Sequence, residues 1–447
     1  MKRRDFMKVL GSALGAVTLA TSCGKSGGST AETNVTPIPN GYRFFKVISS
    51  GAALPGGNTL SSIPGTVMLN DANEIHFYGM DQYNANGFYE LLMDYGGSRP
   101  VAQPPRKVVR EGDILNDKKE VSRINMGDVN NQGSFAAILQ TNDNLPGLYL
   151  ERQKRGFEPI AGYQTALPGG GGTFGVIFGD VDIHTNDDIL LVSHYAPSGS
   201  AQGSQGLFYL SGGEVNQKGS VVASTGDSLP DSGGVLTGIG LVDMHDQGNY
   251  VMQAYGGLLQ SPNPSSGAMD ASAPSLLING KVGSPASKTL KSSSPALTTS
   301  KRLAAMLGSF PYGEIKNGPR IGASNNAAFV VNQTADNSQQ LYYSGKHVIA
   351  TGDVSPLGAT IVSLSAPVVG SNGLLYYQAV TNAGIELMIY NNVELKTVLS
   401  NGDNVDGSLL KNIFFGFMPD QVDSSGRIVL TGDFADGSTS LIIGLPI

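Results

Sequence analysis

The chain has 447 residues, 40 % of them hydrophobic, with a formal net charge of −7, 60 Gly, 23 Pro, one Cys and no Trp; Asp, Glu, Lys and Arg make up only 15 %. Gly at about twice its usual share, with so little charge, marks a folded chain rich in turns and excludes coiled coils, helical bundles, collagen and disorder. One Cys allows no internal disulfide, and length alone suggests about three domains unless a single all-β unit takes the whole chain.

The N-terminus begins with the basic residues Lys2, Arg3 and Arg4, followed by a mildly apolar run over 9–20 that is too short and too rich in Gly and Ser to span a membrane. Arg3 and Arg4 followed by Asp5, Phe6, Met7 and Lys8 resemble a twin-arginine export signal, with Lys2 where that family has Ser or Thr; the alternative is an ordinary secretory signal containing two arginines. Leu19, Ala20, Thr21, Ser22 and Cys23 resemble a lipobox, which implies cleavage before Cys23 and acylation of its thiol. Residues 1–22 are therefore expected to be a signal peptide and Cys23 the lipid anchor. Residues 23–41, almost without apolar content, are expected to be a flexible tether. Each acyl CH₂ buried in a bilayer contributes about 0.8 kcal/mol, so several chains hold firmly. The expected address is the cell envelope, on the periplasmic or extracellular face of a membrane. Removing residues 1–22 takes 29 bases to 25 and 36 acids to 35, a net charge of −10. That acidity argues against nucleic acid as a partner.

From residue 42 onward one unit recurs: a strand, a polar turn and a second strand. It is centred on Asn70, Asn130, His184, His245, Asn325, Ser371 and Asp423, with turn positions Asn73, Gly133, Asp187, Gly248, Ala327, Gly373 and Gly426, about 59 residues apart. Asn, Asp, Ser and Gly tolerate the positive φ of a tight hairpin, and the flanks alternate apolar and polar as half-buried strands do. A second hairpin follows in each copy, as at Leu148, Tyr149 and Leu150 or Leu341, Tyr342 and Tyr343. Its last strand ends in Gly then Asp: Gly112–Asp113, Gly226–Asp227, Gly352–Asp353 and Gly402–Asp403, read as an Asx-turn.

Four short antiparallel strands per unit predict one blade of a β-propeller. The strand at 42–48 matches the last strand of a unit, and that at 439–445 matches the third. The expected fold is therefore an all-β, seven-bladed propeller of four-stranded antiparallel blades over 42–447, its ring closed by the N-terminal strand pairing in the last blade. A sandwich or an open array is the alternative. The longest interval, between the fourth and fifth copies, carries a Pro/Ser-rich insertion near 256–300.

Asn130, Gly133 and Ala136 match the pattern N-x-x-G-x-x-A-F, with Ala137 in place of Phe; the copy ending at Phe329 loses the Gly, and that at Gly373 lacks the leading Asn. Over 42–447 the chain thus resembles the bacterial tandem-repeat proteins defined by that motif. The resemblance implies secreted or anchored proteins with no assigned chemistry and transfers no catalytic residue.

Three copies place Asp two residues before the turn-opening position: Asp128 before Asn130, Asp182 before His184, Asp243 before His245. That spacing puts both side chains on one strand face, and inner strands of a propeller line its channel. Asp128, Asp182, His184, Asp243 and His245 are therefore the candidate ligands of a weakly bound divalent cation. The simpler reading is that the Asn-type side chain closes its own hairpin, His being a tolerated variant, while Asp accepts neighbouring backbone N–H groups. No catalytic set emerges. Gly24, Ser26 and Gly28 match G-x-S-x-G in the tether without a strand-to-helix elbow, and Gly170, Gly172 and Gly175 match G-x-G-x-x-G before a strand rather than a helix. His194 and His347 stand alone, and no cofactor is expected. Without Trp, ligand stacking falls to Tyr and Phe.

The expectation is a monomeric, lipid-anchored binding or scaffolding module for a protein or glycan partner. A hydrolase or lyase with its site at the channel mouth is the alternative. The enzyme requires a deep polar pocket with strongly perturbed acids near the axis; the module requires a shallow face with aromatic residues exposed in loops.

Overall fold

A computed structural model describes residues 36–447 apart from 153, 178, 200–202, 216–218, 228–233, 246–247, 259–274, 283–312, 323–325, 334–337, 417 and 419. Arg3, Arg4 and Cys23 lie outside the described residues. The described chain is all-β, with only short 3₁₀ turns at Pro55–Gly57, Thr185–Asp187 and Ser211–Gly213, and no helix among these residues is long and apolar enough to cross a membrane.

The described strands pair into seven antiparallel sheets arranged as a β-propeller. The second sheet shows the plan: Val121–Val129, Phe135–Thr141, Pro146–Glu151 and Phe157–Ala161 follow one another outward in chain order. The other described sheets hold three to six strands rather than a uniform four. One cause is a bend in the innermost strand: in the first sheet it divides into Leu60–Ser62 and Val67–Leu69, both paired with Glu74–Asp81. In the fourth sheet the third strand is Ser275–Lys281, paired with Asn249–Leu258. The insertion expected over 256–300 therefore carries a strand of the sheet itself; the rest of it, at 259–274 and 283–300, lies outside the described residues.

The turn chemistry is local and repeats. The N–H of Asn70, Asn130, Gly322, Gly370 and Asp423 each donates to the carbonyl four residues on, at 3.0–3.2 Å. Asn130 Oδ1 accepts from Gln132 and Ser134 N–H, and Asp423 Oδ1 from Ser425 and Arg427 N–H. These bonds put Gly322 and Gly370, not Asn325 and Ser371, in frame with Asn130. Gly in that place removes the side-chain signal, and the polar residues just after it imitate one.

Outer strands end in a second repeated device. Gly112, Gly226, Gly352 and Gly402 take φ of +91° to +95°, the left-handed region where a Cβ is strained. Each donates its N–H to the next innermost strand: Gly112 to Val121, Gly226 to Leu236, Gly352 to Ile361 and Gly402 to Leu410, at 2.7–2.9 Å. The following Asp turns backward, its Oδ2 accepting the N–H three residues earlier, as Asp113 does from Arg110 and Asp353 from Ala350, both at 2.8 Å. The expected Asx-turn is thus replaced by a bond back onto the strand that has just ended.

Seven buried apolar clusters lie between sheets adjacent in the chain, and one of them joins the last sheet to the first: Phe45, Val429 and Ile443 pack with Leu60, Ile75 and Phe77. Each such side chain contributes roughly 1.5–3 kcal/mol when fully buried, so closure places that contact under the same driving force as every other. Tyr42–Ser49 pairs antiparallel with Thr439–Pro446, from Tyr42 opposite Pro446 to Ser49 opposite Ser440. The folded unit begins at Thr36, earlier than expected for a tether ending at 41. Ile38 is buried against Val368 and Leu374, and Asn391 Nδ2 donates to the Thr36 carbonyl at 3.1 Å.

Candidate functional site

The turns and bends above bring one residue of each innermost strand to the axis. At the position two before the turn-opening residue stand Asp128, Asp182, Asp243 and then Arg320, all buried. The three carboxylates form a ladder. Asp128 Oδ2 accepts from Ile183 N–H at 2.9 Å, Asp182 Oδ2 from Met244 N–H at 2.6 Å, and Asp243 Oδ2 from Ile321 N–H at 2.5 Å. Each Asp thus holds the next sheet one residue beyond that sheet's own equivalent position. Asp180 adds a parallel rung to Val242 N–H at 2.9 Å.

Burial is the main cause of an upward shift in all of these acids. Asp128 and Asp243 rise well above the ordinary carboxylate range, through burial first and through Asp420 and Asp182 as neighbouring negative charges; Arg320 partly offsets this for Asp243. Asp182 is pushed up to about 7 by burial, with His184 opposing and Asp420 adding to it.

Above the ladder a cavity of about 70 Å³ is lined from every sheet, from Asp71 and Asn131 through His184, His245 and Arg320 to Asp423. Below it, a second cavity of about 100 Å³ is bordered by Asp128, Asp180, Asp182 and Arg320. The His184 and His245 rings meet edge-on with centroids 5.9 Å apart, and His184 Nδ1 accepts from Thr185 N–H at 3.0 Å. Sequence spacing therefore brought Asp128, Asp182, His184, Asp243 and His245 to the axis, but no three of their donor atoms lie within 4.8 Å of one another. One oxygen of each carboxylate accepts a backbone N–H group of the next sheet. Arg320 and Asp420 were missed, because neither repeats.

Among the described residues one group of three metal-type donors does meet within 4.8 Å: Glu74, His76 and Glu90, off the axis in the first sheet. Its signal was the pair Glu74–x–His76 just after the first turn, where no other copy has a histidine at the second place.

A groove of about 380 Å³ runs at the rim between the outermost strand of the last sheet, Tyr42–Ser49, and that of the sixth, Leu395–Ser400. Alternation puts Tyr42 and Phe44 on one strand face, their rings stacked at 5.9 Å and 26°, with Arg43, Asp403 and Asn404 also lining the groove. On the loops, Tyr83 is 71 % and Tyr163 52 % exposed.

No family model and no curated protein matches the chain. Solved structures similar to it include an α-L-arabinofuranosidase from Fusarium graminearum in complex with an iminosugar inhibitor (10 % identity over 91 % of this chain and 98 % of that one, TM-score 0.35). An α-L-arabinanase from Penicillium chrysogenum complexed with arabinobiose gives 10 % identity, the same coverages and a TM-score of 0.35. The Aleuria aurantia lectin with α-methyl-L-fucoside gives 10 % identity over 75 % and 93 %, TM-score 0.29. Likenesses at these TM-scores carry no argument about the fold or function of this chain.

Proposed function

We propose that the protein is a seven-bladed propeller, anchored at the cell envelope by lipid on Cys23 after export directed by Arg3 and Arg4, that acts as a glycan-binding module through the rim groove at Tyr42 and Phe44. The seven sheets, the seven inter-sheet clusters and the shared terminal sheet support the blade count. The single observation that carries the function is the groove. Its volume lies in the roughly 300–1,000 Å³ range of small-molecule sites, and the axial cavities fall well below it. Tyr42 and Phe44, partly buried against the core, offer the ring area they leave uncovered to the C–H faces of a sugar, while Asp403 and Asn404 offer acceptors and donors to its hydroxyls and Arg43 borders the groove from the strand's other face. The chain works as a monomer without nucleic acid, in keeping with its acidic balance.

A hydrolase or lyase at the channel mouth is the second reading, and the raised carboxylates Asp182 and Asp243 are what favours it. The test is a glycan array probed with the purified chain, followed by titration of the best ligand. Arg43→Ala weakens binding about tenfold with the unfolding midpoint unchanged; Phe44→Leu weakens it as much and also lowers the midpoint, because Phe44 packs against the core. Binding to no glycan, or equal affinity in both variants, overturns the groove assignment; conversion of the glycan to product supports the enzyme.

A further inference from the structure

We infer that Glu74, His76 and Glu90 form a divalent metal site, suited first to Zn²⁺, in which Lys154 is the cation that the ion competes with for the two carboxylates. The repeat frame isolates it. With the turns aligned, Glu74 corresponds to Ser134, Asp188, Asn249, Asn326, Leu374 and Arg427, and His76 to Ala136, Leu190, Val251, Ala328, Tyr376 and Val429. Only the first copy puts a carboxylate and an imidazole at these places. Two-residue spacing sets both on one face of Glu74–Asp81, and the ladder places Glu90 directly opposite His76 on the neighbouring strand.

His76 is fully buried, its ring stacked on Phe135 at 5.6 Å, and neither ring nitrogen has a partner within hydrogen-bond distance. A buried imidazole in that state is costly unless something else satisfies it. Its Nε2 lies 3.8 Å from Glu74 Oε2 and 4.0 Å from Glu90 Oε2. Zinc bonds to N and O of about 2.0–2.2 Å bring tetrahedral donors to roughly 3.3–3.5 Å of one another, so shifts under about 1 Å assemble the shell.

The surrounding groups hold the two carboxylates by hydrogen bonds and ion pairs, as the outer partners of metal ligands usually do. Asn70 Nδ2 donates to Glu74 Oε2 at 2.9 Å, and Arg106 holds Glu90 Oε2 and Glu151 Oε2 at 2.7 and 3.0 Å. Both carboxylates turn Oε1 to Lys154 Nζ, at 2.9 Å for Glu74 and 2.5 Å for Glu90. Lys154 is 40 % exposed and long enough to swing into solvent. Among the described residues, Glu74, Glu90 and Glu151 pair with Lys154 and Arg106 as permanent cations; a dication bound with Lys154 displaced into solvent neutralises the excess charge. One imidazole with two carboxylates is a donor set for Zn²⁺ or another first-row ion rather than Ca²⁺, which takes six to eight oxygens. The competing account is an ion-pair network of Glu74, Glu90, Lys154 and Arg106 around His76 with no metal.

Titration of the chelator-stripped full-length chain with ZnCl₂, with Co²⁺ absorption as a second readout, tests the site. The expected result is one equivalent of Zn²⁺, visible Co²⁺ bands that Zn²⁺ abolishes, at least about tenfold weaker binding in His76→Gln, and unchanged binding in His245→Ala. Lys154→Ala tightens binding severalfold, because it removes the competing cation. No stoichiometric Zn²⁺, no displaceable Co²⁺ bands, loss of the ion in His245→Ala, or unchanged or weaker affinity in Lys154→Ala overturns the assignment. The Co²⁺ readout needs no variant and stands even if His76→Gln fails to fold.

Discussion

Replacing Asp182 with Asn probes the axial ladder where its chemistry is most exposed to measurement. The Asp182 carboxyl is 5 % exposed and accepts Met244 N–H at 2.6 Å. Burial pushes it from the ordinary 3.8 up to about 7. A folded-state value above the unfolded one means that the native protein holds the proton more tightly. Its contribution to stability is therefore complete below about pH 4 and is lost as pH rises through about 7. A rise of roughly three pH units at 1.36 kcal/mol each sets a ceiling of about 4 kcal/mol on that loss. Asn keeps an oxygen for Met244 N–H and cannot ionise. Asp182→Asn is thus close to neutral at pH 4 and stabilising by about 2–4 kcal/mol at pH 7.5. Urea unfolding at pH 4, 5.5 and 7.5 measures this, followed by far-ultraviolet circular dichroism or tyrosine fluorescence, since the chain has 17 Tyr and no Trp. Parallel stability profiles for the two proteins, or a variant less stable at pH 7.5, would refute the claim that Asp182 is held as a buried acid.

Gly112→Ala is expected to lower stability by about 1–2 kcal/mol, through backbone strain at φ +91° alone, because the nearest foreign atom to an added Cβ is 4.0 Å away. Gly162→Ala, in open space with no positive φ, is neutral and serves as the control; equal midpoints for the two variants would remove the strain argument. Cys23→Ser abolishes fatty-acid labelling and releases the protein from the membrane fraction, and label retained on that variant would sink the anchor assignment.

Much of the fold was legible because it rests on local chemistry. Asn130 satisfies N–H groups two and four residues ahead of it, as Asn70 and Asp423 do, and Gly112 meets a positive φ, as Gly226, Gly352 and Gly402 do; demands that recur make their residues recur. The frame slipped at Gly322 and Gly370, where Gly meets the same backbone demand without leaving a side chain to read. Ile38 went unnoticed because one apolar residue among Pro and Asn has no period. The candidate sites divide along the same line. Spacing put Asp128, Asp182 and Asp243 on an inner face, yet their partners lie 55 to 78 residues away.

By itself, the sequence determined the all-β class, the repeat, most of the turn positions and the pairing of first and last strands, since alternation and turn chemistry act over a few residues; Ala327, read as a turn, instead opens a strand. Only the tertiary structure decided what the inner acids do. A carboxylate two residues before a turn can bind an ion or a backbone amide, and the choice depends on what the neighbouring sheet presents. In this ring it presents an N–H to each of Asp128, Asp182 and Asp243. The only close meeting of three metal-type donors among the described residues is left to Glu74, His76 and Glu90, which cross-strand register rather than spacing brings together.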